Sequence, residues 1–178
     1  MKRKSIFGVI ILLFIFLLPG VVNGYTDNKN VYVIPIKGDI TPATYYHVRH
    51  NLKIAEQDPN TVAVIFEIDT FGGRIDSAEK VSRLILDTDL HTISFVNTKA
   101  ESAGVLLTIS ANDIAMAPGS TIGSAETIPN TEKVLSAWVG ILRGVAQEKG
   151  RDEQIVIAMA DKSVDIPGIV GKDKLLNV

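Results

Sequence analysis

The chain contains no cysteine, which excludes a disulfide framework, a thiolate metal site and a cysteine nucleophile. It also lacks an excess of basic residues. Its 18 Lys and Arg face 20 Asp and Glu, for a formal charge of -2, so nothing in the charge balance argues for nucleic acid. Histidine is scarce, with only His47, His50 and His91. His47 and His50 could share a helix face, but without a nearby carboxylate they make a poor metal site. Neither a metal nor another cofactor is expected. No histidine follows Ser102, which excludes any mechanism whose chain order is serine and then histidine. The G-x-G-x-x-G spacing of dinucleotide sites is missing, as is a lysine after a phosphate-binding glycine loop. No repeat or low-complexity tract divides the chain, and 178 residues suit one domain with a sizeable core.

What is present begins at the N-terminus. Lys2, Arg3 and Lys4 precede an apolar run from Ile6 to Leu18, then Pro19-Gly20 and Val22-Asn23-Gly24. This is the pattern of a signal peptide cleaved after Gly24. The run is short for a bilayer span of about 20 residues, and an uncleaved membrane anchor is the alternative. Either way the rest of the chain is expected to be exported.

Downstream, strand and helix patterns alternate. Val31 to Ile36 reads as a strand, and Thr41-Pro42 as a helix cap with proline at the first helical position. That helix should run to about Glu56, with Asp58-Pro59-Asn60 as the turn after it. Val62 to Asp69 is a mostly apolar strand, as inside a parallel sheet. Gly72-Gly73 follows, and Asp76 to Leu86 has helical spacing at Ala78, Val81, Leu84 and Ile85. Thr92 to Val96 is the next strand, with the stretch KAESAGVLLTISAND (99–113) as the helix after it. Asp113 to Ala117 is a short strand, and 120–129 a loop. Asn130 caps a long helix from Thr131 to about Lys149, with Val134, Trp138, Ile141 and Val145 on one stripe and Gly150 as the stop. A second helix from Asp152 to Asp161 precedes a mixed tail. Such alternation means an α/β fold with parallel pairing.

Three features lie at the carboxyl ends of predicted strands, where open α/β folds place ligands. The first is Asp69-Thr-Phe-Gly-Gly-Arg74. Its glycine pair lets backbone N–H groups approach a ligand without Cβ interference, as in an oxyanion hole; a plain tight turn is the alternative. The second is Ser102 at a helix start, either an ordinary N-cap or a hydroxyl beside amides aimed at a developing anion. The third is a base, because a serine hydroxyl is a weak nucleophile until its proton is removed. With histidine excluded, lysine remains. An ordinary lysine titrates near ~10.4, so base chemistry near neutrality requires desolvation. Lys133 is the best placed, because at helical spacing it shares a line with Ala137 and Gly140 or Ile141. A cation in a first helical turn is also disfavoured by the helix dipole. Lys149, Lys162, Lys172 and Lys174 read as solvated charges.

With these residues in hand, the chain resembles the membrane-associated serine peptidases of the NfeD family, relatives of the Clp protease proteolytic subunit and of signal peptide peptidase A. The motifs that carry the resemblance are IDTFGGRIDSA, ESAG, IAMAPGSTIGSA and a lysine followed by AQEKGR, over about Val31 to Gly168. It implies a ClpP/crotonase-like fold of repeated strand–strand–helix units, a largely parallel sheet flanked by helices. It implies Ser102 as nucleophile, Lys133 as base in a Ser–Lys dyad, Gly72 and Ala103 as oxyanion donors, and Gly73 as the residue shaping the turn. Asp76 matches a frequent family aspartate and reads as a helix-start cap. Hydrophobic segments of membrane proteins are the implied substrates, stomatin-like proteins the implied partners, and a homo-oligomer, dimer or larger, the implied assembly.

Phe71 departs from the proline common before the glycine pair. Family members also continue past the tail, so residues 25–178 are expected to be a protease domain incomplete at its C-terminal end. A catalytically incomplete binding or assembly module of the same fold is therefore the alternative. A crotonase-type acyl-CoA enzyme shares the fold, but it needs no serine and does not suit an exported chain.

Overall fold

The computed structural model describes residues 28–178; the expected signal segment over 1–24 lies outside the described residues. Five strands and five helices follow in chain order: β1 Asn30–Lys37, α1 Pro42–Gln57, β2 Thr61–Thr70, α2 Ile75–Asp87, β3 Thr92–Glu101, α3 Ala103–Ser110, β4 Asp113–Met116, β5 Thr121–Gly123, α4 Glu132–Glu148 and α5 Glu153–Ala158. Strand–helix alternation holds until β4–β5–α4. Every strand pair is parallel, in the order β1-β2-β3-β4.

The apolar alternation sets the register. Ile34 and Ile36 of β1 are buried while Val31 and Val33 point outward, and Ile34 pairs with the buried Phe66 of β2. A one-residue slip would expose this whole set. The helix start at Pro42 is as expected, with the Thr41 N–H donating to Thr44 Oγ1 at 3.1 Å. All eight residues of α3 are buried, so its polar side chains bond inward. Thr108 Oγ1 donates to the Gly104 carbonyl and Ser110 Oγ to that of Leu106.

Two elements differ from the sequence pattern, and both shape the site. β3 continues to Glu101, past the expected strand end at Val96 and into the stretch 99–113 that reads as the following helix. It carries two extra residues against β2, because Ile68 pairs with Val96 but Thr70 pairs with Ala100. The lengthened β3 outruns β4, and its free edge takes up Thr121–Gly123 as β5, within the stretch 120–129 that reads as a loop. A three-residue strand has no periodicity to detect. The tail then lies along β5, with Ile122 and Val178 exchanging backbone hydrogen bonds of 2.6 and 2.9 Å.

Trp138 anchors α4 to this region. It is 2 % exposed, and its indole N–H donates to the Ala125 carbonyl at 2.9 Å. Trp138→Phe leaves that carbonyl unpaired and opens a small void, at an expected cost of about 2 kcal/mol. A urea midpoint unchanged from the parent's would contradict this.

Candidate active site

Ser102 forms the corner between β3 and α3, with φ 51° and ψ -121°. A non-glycine residue adopts such a backbone at a cost of about 1–3 kcal/mol, and only where its surroundings over-determine it. Here they do. Glu101 is held in the sheet beside Gly123 of β5, and the buried α3 begins at the very next residue. Gly104 lets that helix close on β2, since a Cβ there would meet Thr70 Cγ2 at 2.7 Å. The Ser102 hydroxyl makes no capping hydrogen bond, so the ordinary N-cap role is not the one it plays. The Ala103 and Gly104 N–H groups have no acceptor among the described residues. The serine thus sits on a sharp strand-to-helix turn, the local geometry of a nucleophile elbow.

The glycine turn presses against this corner. A Cβ on Gly72 would stand 2.5 Å from Ser102 Cβ and 3.0 Å from its Oγ. The Gly72 N–H donates to Thr70 Oγ1 at 2.9 Å, and Thr70 Oγ1 in turn donates to the Gly38 carbonyl. The expected oxyanion donor at Gly72 is therefore already engaged. Gly73 pairs with Ile40, whose N–H and carbonyl bond Gly72 O at 2.8 Å and Arg74 N at 2.9 Å. The Gly73 N–H has no acceptor among the described residues, and Gly73 lines the same cleft as Ser102. Thr70, with no role in the sequence pattern, organises the turn.

Ser102 opens onto two adjoining clefts. One, of about 670 Å³, has apolar walls that include Ile40, Phe71, Ile75, Ile128 and Trp138. The other, of about 660 Å³, is bordered by Glu101, Lys162, Lys174 and Leu175. Phe71 and Glu126 border both. Four of the charges here are paired. Arg74 grips Asp76 with two hydrogen bonds of 2.9 Å, and Asp76 lies in the first turn of α2, where the dipole favours a carboxylate. Glu126 Oε1 accepts from Lys162 Nζ at 2.8 Å and from Asn130 at 2.7 Å. The bond from Lys162 holds the Glu126 carboxyl below its ordinary value against the opposing effect of burial, so this clasp persists at neutral pH and is lost only as pH falls through that lowered value. Phe71 is 66 % exposed, with the Lys99 ammonium 3.8 Å from its ring centre.

Lys133 is not brought to Ser102. It is exposed in the first turn of α4 and lines neither cleft. The buried stripe of α4 comprises Trp138, Val139, Leu142, Val145 and Ala146. At 100° per residue Lys133 points about half a turn away from it. Ala137 and Gly140, expected to desolvate this lysine, are exposed on the same outward line. Lys162 and Lys174, which read as solvated charges, instead border the Ser102 cleft. Among the described residues no cluster of side chains could hold a metal ion, and no helix is long and apolar enough to cross a membrane.

The family profile described as NfeD1b, N-terminal domain, matches residues 30–178. The chain is 29% identical over 168 residues to membrane protein NfeD1b of Bacillus subtilis, and 30% identical over 177 residues to membrane-bound protease PH1510 of Pyrococcus horikoshii. In both cases 92% of this chain aligns with 38% of the relative, so it spans well under half the length of these curated relatives. Among solved structures, a serine-to-alanine mutant of the 1510-N membrane-bound stomatin-specific protease superposes with a TM-score of 0.71 at 33% identity, over 76% of this chain and 71% of that one. A lysine-to-alanine mutant of 1510-N in complex with a substrate peptide gives 0.69 at 33%, over 76% and 68%. ClpP1 of Listeria monocytogenes, at 16% identity and a TM-score of 0.59 over 75% and 79%, shares the fold. The chain has the ClpP-like fold and belongs to the NfeD1b N-terminal domain family.

Proposed function

We propose that this domain is a serine endopeptidase in which Ser102 attacks a peptide carbonyl and a lysine amine takes its proton. The observation that carries the proposal is the Ser102 corner, whose hydroxyl is excused from capping and held against the Gly72-Gly73 turn. The tetrahedral oxyanion is received by backbone N–H groups at Ala103 and in the glycine turn. Within that turn Gly73 has the uncommitted N–H, whereas Gly72 supplies the absence of a side chain. The lysinium then protonates the leaving amine, and water, deprotonated by the same lysine, resolves the acyl-enzyme.

Lys133 is the proposed base, which requires the first turn of α4 to bring its amine to the cleft. That serine and lysine mutants of 1510-N were made and one was held with a substrate peptide supports a dyad. Lys174 is the second candidate, because it borders the Ser102 cleft. The apolar flank of the site, with Ile128 98 % exposed beside Phe71, suits hydrophobic segments of membrane proteins. Action on a stomatin-like partner, membrane association with the domain exported, and assembly to a dimer or larger belong to the same proposal, supported by the names of the relatives.

Hydrophobic peptides test it. Turnover is expected to vanish in Lys133→Ala while Lys174→Ala and Lys162→Ala remain active. Loss in Lys174→Ala alone would transfer the role of base. A second reading, an assembly module of the same fold, is favoured by the outward position of Lys133. Folded protein that turns over no peptide at any pH would establish that reading instead.

A further inference from the structure

Among the described residues, the two most exposed large apolar side chains are Ile128, at 98 %, and Phe71, at 66 %. Both border both clefts, as do Ser102 and Glu126. These four residues mark the seam where the clefts meet. Single apolar side chains on a protein surface are ordinary and call for no explanation. Here the two greatest exposures coincide, and they do so at the serine corner.

Phe71 is also ordered in advance. Its neighbours are tied together, with the Gly72 N–H donating to Thr70 Oγ1 at 2.9 Å and that hydroxyl donating to the Gly38 carbonyl. The Lys99 ammonium stands 3.8 Å from the ring centre, a cation–π contact that favours one ring position. The ring remains open to solvent with this contact in place. A side chain already held in one position loses little freedom when a ligand packs on it. Glu126, the charged member of the seam, is engaged by Lys162 and Asn130. Besides Ser102, the seam therefore offers a ligand apolar surface, one part of it aromatic.

We propose that Phe71 and Ile128 grip one large side chain of the substrate where its backbone crosses Ser102, and that Phe71 makes the site prefer an aromatic side chain to an aliphatic one of equal size. The proposal rests on the reading of the Ser102 clefts as a peptide site, narrowing its apolar substrates to those with an aromatic residue beside the cleaved bond. Ile128 supplies contact area whatever the character of the bound side chain. Phe71 adds the offset or edge-to-face packing of two rings, which is favourable beyond the area they bury.

The test uses fluorescein-labelled alanine peptides with a central Phe, cyclohexylalanine or Ala. Cyclohexylalanine keeps the outline of Phe without its π system, and in an alanine host the one large side chain sets its own register. Binding to Ser102→Ala protein is measured by fluorescence anisotropy, so that no turnover intervenes. The Phe peptide is expected to bind about threefold tighter than the cyclohexylalanine peptide, and both tighter than the Ala peptide. Adding Phe71→Leu should bring the ratio to one or below by weakening chiefly the Phe peptide, and Phe71→Tyr should keep it. Ile128→Ala should weaken both large peptides and leave their ratio unchanged. Both side chains are exposed, so these replacements leave the fold intact.

A ratio of one or less before Phe71 is changed, a ratio that survives Phe71→Leu or is lost in Phe71→Tyr, or binding untouched by Ile128→Ala would overturn the proposal. So would no binding of any peptide. Turnover by the parent is scored separately. An aromatic preference in binding with no peptide cleaved would keep the Phe71 assignment and reject the peptidase. Cleavage of the Phe and cyclohexylalanine peptides at equal kcat/KM would keep the peptidase and reject the assignment.

Discussion

Ser102→Ala is expected to reduce peptide cleavage to background, a loss of about 10⁶-fold on the scale for removing a serine nucleophile. Ser102→Gly should be as inactive and yet more stable than the parent. At φ 51° and ψ -121° the serine backbone is strained by about 1–3 kcal/mol. Glycine relieves most of that strain, less what its freedom in the unfolded chain costs. An increase of about 1 kcal/mol in unfolding free energy, with activity gone, would show strain retained for function. A Ser102→Gly protein less stable than the parent would mean that the corner is relaxed and that the hydroxyl has a structural bond. Residual cleavage in Ser102→Ala above background would move the nucleophile elsewhere.

Gly72→Ala is expected to be strongly damaging and, of the turn substitutions, to be the one that reports the contact with Ser102 directly. The added methyl would lie 2.5 Å from Ser102 Cβ and 3.1 Å from the Glu101 carbonyl, at φ +108°. Overpacking against backbone together with a left-handed alanine should cost about 3–5 kcal/mol and displace the nucleophile. Combined with Ser102→Gly, the damage should shrink, because the atom most crowded is then gone. A coupling of about 1–3 kcal/mol is expected for two groups in such contact. Strict additivity in the double variant would mean that the two residues do not touch.

Much of this arrangement is legible along the chain because it is local. The apolar runs of β1 and β2, the Thr41-Pro42 helix start and the stripe containing Trp138 and Val145 each follow from the period of side chains along one element. The resemblance to NfeD peptidases is legible for the same reason, since it resides in contiguous motifs, and the family match confirms it. What was not legible depends on distant partners. β5 exists because β3 outruns β4, a comparison of two strand lengths that no window of sequence contains. The engagement of the Gly72 N–H depends on how Thr70 turns its hydroxyl.

The lysines show the same division most clearly. Sequence neighbours suggest that Lys133 is desolvated, since Ala137 and Gly140 are small. Whether small neighbours bury a side chain or leave it bare depends on which face of α4 meets the core. That face is turned toward Val139, Leu142 and Ala146, so the line carrying Lys133 faces outward. Lys162 and Lys174 look solvated in their polar stretches, yet the tail running beside β5 carries them to the Ser102 cleft. By itself the sequence determined the fold class, the family and a serine at a helix start, because these follow from period and motif. Only the tertiary structure decided which amides and which lysines stand near that serine. Proximity between residues distant in sequence is created by packing, and packing is a property of the whole core.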